Sequence, residues 1–206
     1  NYILRLHNQY GLTKYDIITE KGEKWMDEVA VETFNMTGQF EDVNVMGPEP
    51  YENLTNCTAA PYASYLLNKE SMNEKDLNNA IDLIRLSEDQ FTFWNTTPNE
   101  YGLRMMATPC VFEQYKYQKP VDHSAHNVAM AFLDLYEKTG DKLAFAKAKA
   151  LVDNMTIVQN KGNGQMPTTW DFRTPYHDSN RSFWTNCTYA AVTALLRMDK
   201  LTENEK

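Results

Sequence analysis

Positive charge is scarce in this chain of 206 residues: 20 Lys and Arg stand against 28 Asp and Glu, for a formal charge of -8. The acidic excess is spread along the chain rather than gathered in a tail, which excludes nucleic acid and an anionic membrane surface as expected partners. No apolar run reaches the roughly 18 residues of a membrane span, so no membrane insertion is expected. The N-terminus, NYILRLHNQY, has neither the basic start nor the apolar stretch of a signal peptide. Three cysteines in no paired spacing exclude a disulfide framework and a zinc ribbon. Strand-type alternation long enough to build a sheet is also missing. What is present is enough apolar and aromatic residue to bury a core, and residues 1–206 read as a single domain.

The tetrapeptide Thr-Asn-Cys-Thr occurs twice, at 55–58 and 185–188, each time ahead of a small-residue run closed by Leu-Leu: NCTAAPYASYLLNK and NCTYAAVTALLRMDK. SAHNVAMAFLDLYEKTG (124–140) has the same character and falls between them. Self-similarity on this scale indicates a repeat architecture. The cysteines of the two copies, Cys57 and Cys187, read as small apolar residues packed under helix starts.

Helices are expected at 18–34, 55–68, 73–94, 124–138, 141–159 and 185–198. Leu77, Ile81, Ile84, Leu86 and Phe91 in the third, and Leu143, Ala146, Ala150, Leu151, Met155 and Val158 in the fifth, approximate a 3.6-residue period. Two kinds alternate. The Ala-, Ser-, Thr- and Asn-rich helices are apolar almost all round, as a helix packed on several sides must be; the others carry a charged face and belong outside. The fold class is therefore all-α, built from repeated helical hairpins. Connections are asymmetric. From apolar helix to charged helix the turn is tight, with Gly140 suited to end a helix. From charged to apolar the linkers 37–53, 95–123 and 160–184 are long, and loops beyond about 12–15 residues tend to be functional. If the hairpins stack side by side, all three long loops emerge on one face, above the N-termini of the inner helices.

An inner helix ending in LYEKTGD, an outer helix of the type AFAKAKALVDNM and a following loop with GNGQMPTTW resemble the (α/α) toroids of the six-hairpin glycosidase superfamily, relatives of unsaturated glucuronyl hydrolases, glucosamine 2-epimerases and toroid polysaccharide lyases. RLSEDQF, TPCVFEQY and PVDHSAHN add to the likeness, which runs from about residue 42 to 198. It implies an (α/α) toroid or part of one. Three hairpins fill about half of a six-hairpin ring, which leaves a fragment of a larger toroid, a smaller ring or an assembly of copies as the alternatives, with the remainder of a toroid or a homo-oligomer as partner. A glycan-degrading role, and with it an extracellular or periplasmic location, follows from the resemblance alone.

The long loops suit carbohydrate. Sugars present apolar C–H faces that stack on aromatic rings, and hydroxyls that need polar partners. Trp94, Tyr115, Trp170, Arg173, His177, Trp184 and Asn186 are the expected contacts with an oligo- or polysaccharide. Glycoside hydrolysis uses one protonated and one ionised carboxyl group about 5–9.5 Å apart. Asp122 and Asp171, just ahead of inner helices, are the first pair to consider, with Asp42 and Glu113 next. N-capping competes as an explanation, for Asp122 above all. His126 is a candidate base in an alternative reading as polysaccharide lyase or sugar epimerase. His123 and His126 lack an obvious third metal ligand, so neither metal nor cofactor is expected. A non-catalytic glycan- or protein-binding hairpin module is the remaining alternative.

Overall fold

The computed structural model describes residues 10–32, 56, 58–95, 108–114, 120–169 and 183–203. Among the described residues six α-helices carry the fold: α1 (Asp16–Trp25), α2 (Ala59–Leu67), α3 (Glu74–Phe91), α4 (Asp122–Thr139), α5 (Lys142–Val158) and α6 (Thr185–Glu203). A 3-10 turn, Thr13–Tyr15, leads into α1, and a π-helical stretch, Met26–Val31, continues it. Among the described residues the extended structure is slight, a two-residue antiparallel ladder of β1 (Thr92–Phe93) and β2 (Cys110–Val111). The chain is all-α, as its periodicities predict.

The helix ends follow local rules. Asn73 starts α3 with a capping box: its side chain accepts from the Asp76 amide, and the Asp76 carboxylate accepts from the Asn73 amide, both at 3.0 Å. Asp141 starts α5, its carboxylate accepting from the amides of Leu143 and Ala144 at 2.8 and 3.4 Å. Between α4 and α5 stands Gly140 at φ 73°, whose amide donates to the Tyr136 carbonyl at 2.7 Å. Glycine carries no Cβ penalty in this left-handed conformation, which lets the chain reverse within two residues.

Packing separates the helices into two layers. In α4 the buried positions Ala125, Val128, Ala129, Ala131, Phe132, Leu133 and Leu135 surround the axis, and α4 touches α2, α3, α5 and α6. Alanines at these positions let the neighbours approach closely enough to fill the space without voids. In α3 the buried set Asp76, Ala80, Leu83, Ile84, Ser87 and Phe91 makes one stripe. Thus α2, α4 and α6 form the inner layer and α3 and α5 lie outside, α3 against α2 and α4, α5 against α4 and α6. The helix α1 joins the outside of α2 through polar contacts: Tyr62 donates to Asp27 at 2.7 Å, Tyr65 to Glu23 at 2.8 Å, and Lys69 pairs with Glu23 and, at 3.0 Å, with Asp76.

One ion network sits inside the inner layer. Arg197 of α6 pairs with Asp134 of α4 at 2.6 Å and with Glu137 one turn further on. The Asp134 side chain is 6% exposed, so removing the cation strands a buried carboxylate. Arg197→Ala is expected to cost about 3 kcal/mol. Gly140→Ala, where an added Cβ meets open space but keeps a positive φ, is expected to cost about 1 kcal/mol, and Asp141→Ala about 1 kcal/mol through the lost cap. Urea midpoints at unchanged m values measure all three.

Candidate functional site

The described ends of the connections lie at the starts of α2, α4 and α6. Asn56, at the end of the first, donates its amide to the Glu113 carbonyl in the second at 2.7 Å. The base of the second is closed by β1 and β2, with the Phe93 and Phe112 rings 4.5 Å apart. Its return to α4 is bonded to itself and to the third connection: Phe112 bridges Pro120, the Val121 amide donates to Val111 at 2.9 Å, and Val121 bridges Thr169. The third connection is held to the start of α6 by Thr168, whose hydroxyl accepts from the Trp184 amide at 2.7 Å, and by Thr188, which accepts from the Met166 amide at 3.2 Å. Paired backbone at these crossings keeps the described peptide groups there from being stranded.

Under this face the first two turns of α4 carry His123, His126 and Asn127. The Asn127 amide donates to His123 Nδ1 at 3.3 Å; a ring nitrogen facing an NH2 group must accept, so the neutral ring holds its proton on Nε2. Burial pushes the His123 pKa down. His126 is lowered further, to about 4, by burial, with the neighbouring His123 and Arg197 adding to the effect and a hydrogen bond to the Ala190 backbone opposing it. Its Nδ1 is buried without a partner, so Nε2 makes the bond to α6. His126 is thus a neutral ring wedged between two inner helices, with one free acceptor.

The two Thr-Asn-Cys-Thr copies diverge in their surroundings. Asn56 is 1% exposed, and neither its side-chain oxygen nor its nitrogen has a hydrogen-bond partner. Asn186 is exposed, and its side-chain oxygen accepts from the Cys187 amide at 2.9 Å, a contact within its own helix start. Cys187 is buried under that start as expected, while Cys57 lies outside the described residues. The helix of the first copy begins only at Ala59, after Thr58, which makes no side-chain cap. The tetrapeptide therefore marks equivalent places without making equivalent contacts.

Of the acids singled out, Asp122 is the first residue of α4, its side chain lying outside the described structure, and Glu113 is half-buried beside Asn56. Asp42 and Asp171 lie outside the described residues, as do Tyr115, Trp170, Arg173 and His177. Trp184 is 47% exposed, just ahead of α6. Trp94 is placed differently. It packs on the core with its ring 6.2 Å from Phe132 and 5.7 Å from the Lys147 ammonium, which itself pairs with Glu88 at 2.5 Å. These contacts tie the start of the second connection to α4 and α5. Below it, on the outer side, a groove of about 370 Å³ runs between α3 and α5 over Phe132 and Leu135, toward the tight-turn end. Asn56, Asn127 and Thr168 belong to the loop face but were not among the expected site residues; as amides and a hydroxyl at helix mouths they carry no pattern that periodicity could single out. Among the described residues no group of three or more His, Cys, Asp or Glu could hold a metal, and no helix is long and apolar enough to cross a membrane.

No family profile matches this sequence, and no curated protein does. Among solved structures, a glycoside hydrolase from family 105 of C. acetobutylicum ATCC 824 matches 98% of this chain with a TM-score of 0.62 and 15% identity. The match covers 56% of the length of that protein. At this identity the likeness is one of fold: the alternating inner and outer helices described above are those of an (α/α) toroid.

The lowered histidines give the face a pH signature. A group whose folded pKa is depressed below its unfolded value binds its proton more readily in the unfolded chain, so stability rises with pH between the two values. For His126 that window runs from about 4 in the folded state to about 6.5 unfolded. On acidification from pH 7 the melting temperature is expected to fall through this window. His126→Gln is expected to flatten the slope by up to about 1.4 kcal/mol per pH unit, read from urea titrations at successive pH values.

Proposed function

We propose that this chain is a carbohydrate-active protein, a glycoside hydrolase that binds an oligo- or polysaccharide across the loop face and cleaves it with paired carboxylates. The reading is supported above all by the described ends of the second and third connections, which are bonded to each other and to the starts of α4 and α6 through Val121, Thr168 and Thr169. Helix N-termini and unpartnered amides offer donors to neutral hydroxyls, and Trp184 offers a stacking surface. The (α/α) toroid fold shared with a family 105 glycoside hydrolase agrees with it.

In this proposal Asp122 and Asp171 are the reacting pair, one protonated to assist the leaving oxygen and one ionised as base or nucleophile. Asp122 sits where the second connection enters α4, and Asp171 belongs to the third connection two residues beyond Thr169, which bridges Val121. The proposal puts the two acids on neighbouring stretches of backbone. His126, neutral at physiological pH and committed to α6, is a positioning residue in this scheme, and Trp184 and Asn186 contact the sugar.

Reducing-sugar release from a panel of oligosaccharides tests the proposal. Asp122→Asn and Asp171→Asn are each expected to lower turnover by about a hundredfold or more with the helical circular dichroism unchanged. Full activity in either variant overturns the assignment, and release of an ultraviolet-absorbing unsaturated product in place of plain hydrolysis would reassign the chemistry to elimination.

A further inference from the structure

Two histidines one turn apart on α4 are wired in opposite directions. His126 is committed inward: its Nδ1 is buried, and its other ring nitrogen bonds the Ala190 backbone of α6. His123 stands at the other end of that turn, its ring 6.2 Å from the ring of His126. Asn127, which shares a face of α4 with His123, donates to its Nδ1 at 3.3 Å. Nδ1 is thereby the acceptor, and the one proton of the neutral ring sits on Nε2. The ring is half-buried. Among the described residues nothing bonds its Nε2, and this atom, unlike Nδ1 of His126, is not sealed from solvent.

A neutral imidazole that can turn offers a donor or an acceptor at either nitrogen. His123 has lost that choice. With the Asn127 NH2 group in front of Nδ1, a proton moved there would meet a second N–H, so Nε2 remains a donor and does not take up a proton while the ring is neutral. Burial lowers the pKa of the ring, which keeps it neutral at pH 7. Holding the ring in one orientation also reduces the entropy lost when a ligand takes the bond. Position adds a separate argument. His123 lies in the first turn of α4, next in sequence to Asp122, and Val121 just before them bridges Thr169 of the third connection. The donor therefore stands where the second and third connections are bonded together.

We infer that His123 is a ligand-binding residue whose Nε2–H donates to a hydroxyl or carboxylate oxygen of the sugar, with Asn127 as the residue that positions it. This role rests on the carbohydrate reading given above but needs binding alone, not hydrolysis. It also carries a preference. A sugar with an acceptor oxygen at this place satisfies the donor, whereas a deoxy analogue leaves it unpaired and is disfavoured.

Proton–nitrogen correlation spectra of the histidine rings test the assignment. At pH 7 His123 is expected as the neutral tautomer protonated on Nε2, and at least one of cellotetraose, xylotetraose and trigalacturonate is expected to shift its Nε2 signal in a saturable titration. His123→Phe, which keeps a ring and loses the donor, is expected to weaken that sugar about tenfold with the helical circular dichroism unchanged, and His123→Gln, which keeps an N–H, to weaken it less. Asn127→Leu is expected to move the His123 Nδ1 signal toward that of an unbonded acceptor and to weaken binding about threefold. A His123 ring protonated on Nδ1 overturns the inference, as does a bound sugar that leaves the Nε2 signal unmoved, binding of none of the three sugars, or equal binding by the parent and His123→Phe. Binding that shifts Nε2 without any reducing-sugar release supports the inference and removes the hydrolase reading. Release that His123→Phe leaves at the parental KM does the reverse.

Discussion

Everything in this structure hangs on burying α4 on all sides. A helix whose apolar residues surround its axis cannot face water, and small side chains at Ala125, Ala129 and Ala131 let α2, α3, α5 and α6 close around it. The hydrophobic term has no direction of its own; the direction comes from the polar contacts left at the edges. Arg197 with Asp134 and Glu137 fixes how α6 lies against α4, and the cluster of Tyr62, Tyr65, Lys69, Glu23 and Asp76 fixes α1 and α3 against α2. Such groups stay buried at little cost only while every partner is present.

That packing also creates the candidate site. Alternating inner and outer helices joined by tight turns at one end put the described ends of the longer returns at the other, beside the inner-helix N-termini. Backbone pairing among Asn56, Glu113, Val121 and Thr169 then stitches separate connections into one surface. Burial under it keeps His123 and His126 neutral.

Local sequence carried the helices closely. Expected segments 73–94, 141–159 and 185–198 contain or overlap α3, α5 and α6, because Asn73 and Asp141 cap by side-chain chemistry that any sequence displays. Gly140 announced its left-handed turn for the same reason. The first helix was less legible: the expected segment 18–34 begins at Asp16 and passes into a π-helical stretch at Met26, a change of winding with no residue signature. The site was legible only in outline. Composition singled out Trp94 with the other loop aromatics, and only the structure shows that its ring packs on Phe132 and Lys147. A tryptophan looks the same in sequence whether it stacks on a sugar or on its own core.

The sequence by itself determined the class and the alternation of helix types, because periodicity, capping and turn chemistry act over a few residues. Tertiary structure alone decided which polar groups were satisfied. Asn56 and Asn186 occupy the same place in a repeated tetrapeptide, and one is buried without a partner while the other is exposed and bonded to its own helix. It also decided which apolar stripes were covered and which, on α1 and α6, were left facing outward. Those outcomes depend on which neighbours the rest of the chain brings to a residue, and such neighbours are set by the summed packing of the fold rather than by the residues alongside it in sequence.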